Sequence, residues 1–203
     1  LNERIDSADE AVEFNSLAPE HRSTLGAVHG ERMVGAGSLL AEARDKGGDL
    51  TPYLETFASG FAYAEAAYVD AIDFTPWDYA NYVNLASVYN SAAWALDEDY
   101  YHDAIETADK GLEVMPYGTA IRVQLAHALL ATGQIAEARE TLEYCLELDP
   151  RDGSAALALA NIYVQEGRET EALNMLRSVE AMAPGQRGVA AAIKALESGL
   201  PRP

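Results

Sequence analysis

The chain has 203 residues, with 33 acidic side chains against 14 basic ones and a formal net charge of −19. That balance repels phosphate backbones and anionic lipid, so neither nucleic acid nor a membrane surface is the expected partner. An apolar fraction of 49% excludes a disordered chain, and no apolar run reaches the roughly 18 residues of a bilayer span. One cysteine, Cys145, permits no internal disulfide and no thiolate cluster, which leaves the redox compartment open. The chain begins at Leu1 rather than Met and carries no cleavable signal. It is expected to be a fragment or processed product of something longer, from either a cytoplasmic or an extracytoplasmic setting.

In chain order, residues 8–19 (ADEAVEFNSLAP) read as the tail of a helix closing on Pro19, as Glu113-Val114-Met115-Pro116 and Leu148-Asp149-Pro150 do further on. A helix is predicted from about Glu20 to Ala43, ended by the breaker Asp45-Lys46-Gly47-Gly48-Asp49. Gly26, Gly30, Gly35 and Gly37 lie inside it, where they permit either close helix contact or a kink. The next helix is predicted to start near Thr51-Pro52, with Thr51 as N-cap and the proline in the first turn. It continues through Phe61-Ala62-Tyr63-Ala64-Glu65-Ala66-Ala67-Tyr68. Residues 1–78 thus read as an elongated helical hairpin with the remnant of a preceding helix.

From there prolines set a frame. Pro116, Pro150 and Pro184 are spaced by 34 residues, and Pro76 precedes Pro116 by 40, one period plus an insertion of six. Twelve residues before each proline stands alanine: Ala64, Ala104, Ala138 and Ala172. Eight before stand Tyr68, Ala108, Leu142 and Leu176, and five before stand Ala71, Gly111, Cys145 and Val179. These offsets share one helix face. The alanine lets two helices approach closely, the larger neighbour fills the space beside it, and the proline ends the helix. An earlier helix in each unit carries Leu85-Ala86 with Tyr89, Leu125-Ala126 with Leu129, and Leu159-Ala160 with Tyr163. Gly133 and Gly167, one period apart, occupy the turns between helices, where a positive φ is needed. Val189 to Leu200 forms an amphipathic helix with Lys194 and Glu197 outward, suited to cap the last apolar face.

This pattern resembles the tetratricopeptide repeat, which pairs Leu-Ala-x-x-Tyr in a first helix with Ala-x-x-x-Leu and then Pro in a second. The resemblance implies an all-α fold, a right-handed superhelical stack of antiparallel helix pairs. It divides the chain into residues 1–78, repeats at 79–118 (with the insertion), 119–152 and 153–186, and a capping helix and tail at 187–203. Tyr82 fills the aromatic position that opens the first helix in the family, whereas Arg122 and Ala156 stand there in the other two repeats. First helices line the concave surface of such stacks. The resemblance therefore places Asn84, Ser87, Asn90 and Ser91, then Gln124 and His127, then Asn161 and Gln165 on a neutral, amide-rich groove. Amides pair with a peptide backbone without demanding charge, so the expected partner is a protein or peptide segment. Family members that grip a terminal carboxylate use lysine and asparagine on successive first helices. Here those places hold Val83 with Ser87, Val123 with His127 and Leu157 with Asn161, so a carboxylate clamp is not expected.

The insertion, Ser91 to Tyr101, is predicted to lengthen its hairpin. Trp94, Tyr100 and Tyr101 around the acidic Asp97-Glu98-Asp99 form either a contact patch or, on the favoured reading, packing against the elongated first hairpin. No catalytic, metal or cofactor residues are predicted. His21, His29, His102 and His127 show no metal-ligand spacing, Asp97-Glu98-Asp99 lacks the pattern of a calcium loop, and there is no glycine-rich phosphate loop. The functional expectation is a non-catalytic interaction scaffold of undetermined oligomeric state. A weaker resemblance offers an alternative: AIDFTPWDYANYVNLASVYN is similar to soluble helical-repeat tails of bacterial membrane proteins of the O-antigen polymerase/ligase type, which implies an extracytoplasmic domain.

Overall fold

The computed structural model describes residues 19–199, and every regular element among them is an α-helix. The helix tail predicted over 8–19 lies, up to residue 18, outside the described residues, as does the end of the last helix at Leu200. The chain divides into two compact units, Leu1–Pro116 and Tyr117–Pro203.

The first unit contains α1 (Pro19–Asp45), α2 (Thr51–Phe74), α3 (Tyr79–Ala95) and α4 (Tyr100–Val114). α1 runs unbroken for 27 residues despite its glycines, so those that matter serve approach rather than kinking. A Cβ on Gly26 would sit 2.8 Å from the Tyr68 ring. On α2, Gly60 lies against the Met33 backbone. α1 ends where Gly47 takes a positive φ and the Gly48 amide returns to the Ala43 carbonyl at 2.8 Å. The start of α2 departs from the sequence expectation: Thr51 is already helical, and it is Asp49 whose Oδ1 accepts the Thr51 amide at 3.0 Å. A carboxylate two residues upstream can reach that first amide, whereas the Thr51 hydroxyl, once inside the helix, cannot serve the same end. The core of this unit gathers Met33, Phe57, Phe61, Ala64, Tyr68, Leu85 and Val88.

The second unit contains α5 (Thr119–Ala131), α6 (Ile135–Leu148), α7 (Gly153–Gln165), α8 (Glu169–Met182) and α9 (Val189–Gly199). α7 begins at Asp152, whose Oδ1 accepts the Ser154 and Ala155 amides, both at 3.0 Å. Asp78 does the same for the Ala80 amide at the start of α3, while Gly118 before α5 supplies no side chain. Gly133 and Gly167 hold φ of 81° and 74° in the turns. α9 packs Val189, Ala192, Ile193 and Leu196 on the apolar face of α8, and Glu197 meets Arg177 at 2.6 Å.

All four recurrent alanines (Ala64, Ala104, Ala138 and Ala172) are fully buried, as are their neighbours Ala108, Leu142 and Leu176. The first-helix alanines Ala86, Ala126 and Ala160 are buried too. The period is therefore a packing period: each small residue marks where one helix crosses another too closely for a longer side chain.

Candidate protein-binding surface

On α3, Asn84 is exposed and Ser87, Asn90 and Ser91 are half-buried. Ser91 donates back to the Ser87 carbonyl at 2.9 Å. At 100° per residue Asn84, Ser87 and Ser91 lie on the side of α3 opposite Tyr82, Leu85 and Tyr89, which are turned to the helices behind, and Asn90 lies on the flank between the two sides. In the second unit Gln124 is half-buried on α5, and His127, Asn161 and Gln165 are exposed on α5 and α7. Asn161 and Gln165 again oppose the inward Leu159 and Tyr163. α5 and α7 contact each other directly. Neighbouring protein atoms desolvate His127 and lower its pKa, so near pH 7 its ring is neutral and both donates and accepts. Each unit thus presents a face of neutral groups that can pair with a backbone, within an otherwise strongly acidic chain.

The remaining residues singled out in the sequence have other places. The inserted residues mostly extend α3, which has 17 residues against 13 in α5 and in α7. Tyr100 sets its ring edge-on to Phe61 at 4.7 Å and stacks with Tyr89 at 6.1 Å. The Arg44 guanidinium lies 5.1 Å from the Trp94 ring, which keeps 46% of its surface exposed. Tyr101 is half-buried. Tyr82, at the family's aromatic position, is buried and donates its hydroxyl to the Pro76 carbonyl at 3.0 Å. Arg122, in the matching place, spans to the Gly118 carbonyl at 3.1 Å and lies over Tyr144.

Cys145 is fully buried. Burial, with Asp152 nearby, pushes its thiol up to about 11, so the reactive thiolate is scarce at neutral pH. Native protein at pH 8 is expected to resist an aromatic disulfide reagent for hours and to titrate one thiol once urea is added. Rapid labelling of the native chain would contradict this. Among the described residues no group of three or more His, Cys, Asp or Glu is placed to hold a metal ion, and no helix is long and apolar enough to cross a membrane.

Sequence reasoning missed two clefts on the far side of α3 and of α7, each floored by a leucine and a tyrosine and edged by carboxylates. The signal was available: Asp73 and Glu147, and separately Asp103 and Glu171, recur on the same proline frame as the core residues.

Paired antiparallel helices with small residues at each crossing define a helical-repeat protein. The family model for the tetratricopeptide repeat matches residues 95–144 and 136–196, and the chain belongs to that family. Among solved structures it is similar to TTC0263, a thermophilic TPR protein of Thermus thermophilus, with a TM-score of 0.63 at 18% identity over 89% of this chain and 100% of that one. It is also similar to YrrB, a TPR protein with an unusual peptide-binding site, with a TM-score of 0.52 at 17% identity over 96% and 84%. The MamA protein gives a TM-score of 0.51 at 19% identity over 84% and 83%. No curated protein sequence matches the chain. These likenesses concern the repeat fold and give no support to the polysaccharide-enzyme resemblance.

Proposed function

We propose that this chain is a non-catalytic interaction module that holds an extended or helical segment of a protein partner on its first-helix faces. In the first unit the contacts would be Asn84, Ser87 and Asn90; in the second they would be Gln124, His127, Asn161 and Gln165. The observation that carries the reading is chemical. In a chain of net charge −19, these positions hold amides, hydroxyls and a neutral imidazole, which suit backbone recognition. The family is one whose members generally act as scaffolds for protein partners, and one fold relative is described as having a peptide-binding site.

The test is a capture experiment with the immobilised chain and its His127→Glu, Asn161→Glu double variant. Both positions are exposed, so the fold should survive, as circular dichroism can verify. Two introduced carboxylates should repel any segment seated there, since unpaired charge at an interface is costly. Proteins retained by the parent chain are expected to fall at least tenfold. Equal retention would take the second unit's first-helix face out of consideration.

A further inference from the structure

We infer that the cleft between α2 and α4 in the first unit is an arginine-binding site for a protein partner, distinct from the first-helix faces. The cleft has a volume of about 260 Å³. Ile72, Leu85 and Tyr89 give it an apolar and aromatic floor, and Asp73 and Asp103 stand at its edges. Neither carboxylate is in an ion pair among the described residues. The one lysine in the cleft, Lys110, is held by Glu106 at 2.7 Å.

The second unit sets an arginine of its own beside a cleft of the same make-up. Its own cleft is built from the corresponding residues: Leu146 for Ile72, Glu147 for Asp73, Leu159 for Leu85, Tyr163 for Tyr89 and Glu171 for Asp103. Both tyrosines donate to a glutamate of the preceding helix, Tyr89 to Glu65 at 3.0 Å and Tyr163 to Glu143 at 3.3 Å, although the two glutamates stand at different positions on the proline frame. Beside this second cleft lies the chain's own arginine. The Arg168 guanidinium sits 4.1 Å from the Tyr163 ring centre and pairs with Glu171 at 2.6 Å. A cation over a tyrosine face, clamped by a carboxylate, is a favourable arrangement for a planar guanidinium.

In the first unit the position equivalent to Arg168 on the proline frame is Tyr100. The tyrosine and the carboxylate are kept, and the cation between them is not. Tyr100 instead stacks beside Tyr89 and widens the aromatic surface. Desolvation, with Glu106 and Asp99 close by, raises the pKa of Asp103. A positive partner would relieve that cost. Packing does not require acids at the edges, since Asp73 and Asp103 are both exposed. Charge complementarity therefore points to a guanidinium supplied by another protein, with the apolar floor receiving its methylene stem.

The probe is a dye-labelled decapeptide of alternating arginine and alanine, titrated into the full chain and followed by anisotropy. A glutamate and alanine peptide serves as the blank. The Asp73→Asn, Asp103→Asn double variant should bind about fivefold more weakly, as expected for two exposed charge contacts. The Asp45→Asn, Glu55→Gln double variant removes the same charge from exposed positions outside the cleft and should bind like the parent. Val69→Lys, at an exposed position lining the cleft, should weaken binding at least as much without disturbing the fold. Tyr100→Arg would supply the guanidinium from within the chain and should also weaken it. Equal weakening by the two double variants would reduce the effect to net charge and overturn the site. So would full binding by Val69→Lys, or no binding by the parent.

Discussion

Replacing Leu176 with alanine is expected to lower the unfolding free energy of the second unit by about 3 kcal/mol. Leu176 is fully buried on α8, in a cluster with Ala156, Ala160, Ala172, Val179 and Val189. Three of those neighbours are alanines, whose side chains cannot swing into a vacated space. The cavity should therefore persist, and the cost should lie well above that of the lost transfer energy alone. In a stacked array each helix pair leans on its neighbours, so the loss should appear as early melting of α7 to α9. Urea unfolding followed by circular dichroism, with hydrogen exchange to localise the change, measures both. Met182→Ala, at a position 47% exposed on the same helix, should stay within about 0.5 kcal/mol of the parent. Equal effects at the two positions would mean that the proline-frame residues do not carry the packing.

Gly60→Val should destabilise the first unit by about 2 kcal/mol, while Gly30→Ala should stabilise it. A Cβ at Gly60 would lie 3.1 Å from the Met33 nitrogen, 3.3 Å from the Met33 Cα and 3.3 Å from the His29 carbonyl oxygen. All three are backbone atoms of α1, which cannot rotate away as a side chain could. A valine must therefore push the two long helices apart along a contact that Phe57, Phe61 and Met33 otherwise fill. Gly30 sits in the same hairpin with nothing within 4 Å of its would-be Cβ. There, removing a mid-helix glycine stabilises by about 0.5–1 kcal/mol, because alanine has less freedom to lose on folding. Opposite signs from two glycines in one hairpin are the outcome to look for in paired urea curves. A loss at both would mean that α1 needs its glycines for flexibility rather than for approach.

The repeat was legible because its rule is local. Ala104, Ala138 and Ala172 stand at a fixed distance from their prolines and are all fully buried. Gly133 and Gly167 likewise announced positive φ from the turn chemistry alone. The first helix-capping carboxylate was less legible. In the sequence Thr51 has the chemistry of the cap and Asp49 belongs to the breaker, and only the backbone's entry geometry made Asp49 the acceptor. The inserted aromatics were ambiguous for a similar reason. Trp94 and Tyr100 have the same interface character in sequence, yet Tyr100 closes on the sequence-distant Phe61 while Trp94 stays half exposed beneath Arg44.

Sequence by itself determined that this protein is a stack of helix pairs, since side-chain size recurring with a fixed period leaves nesting hairpins as the way to bury it. Only the tertiary structure decided what the carboxylates and tyrosines do. Asp103 and Glu171 occupy matching places, but among the described residues only Glu171 is paired with an arginine. The physical reason is range: helix periodicity is written in neighbours three and four residues apart, whereas a charge's environment depends on which distant side chains the fold brings within a few ångströms.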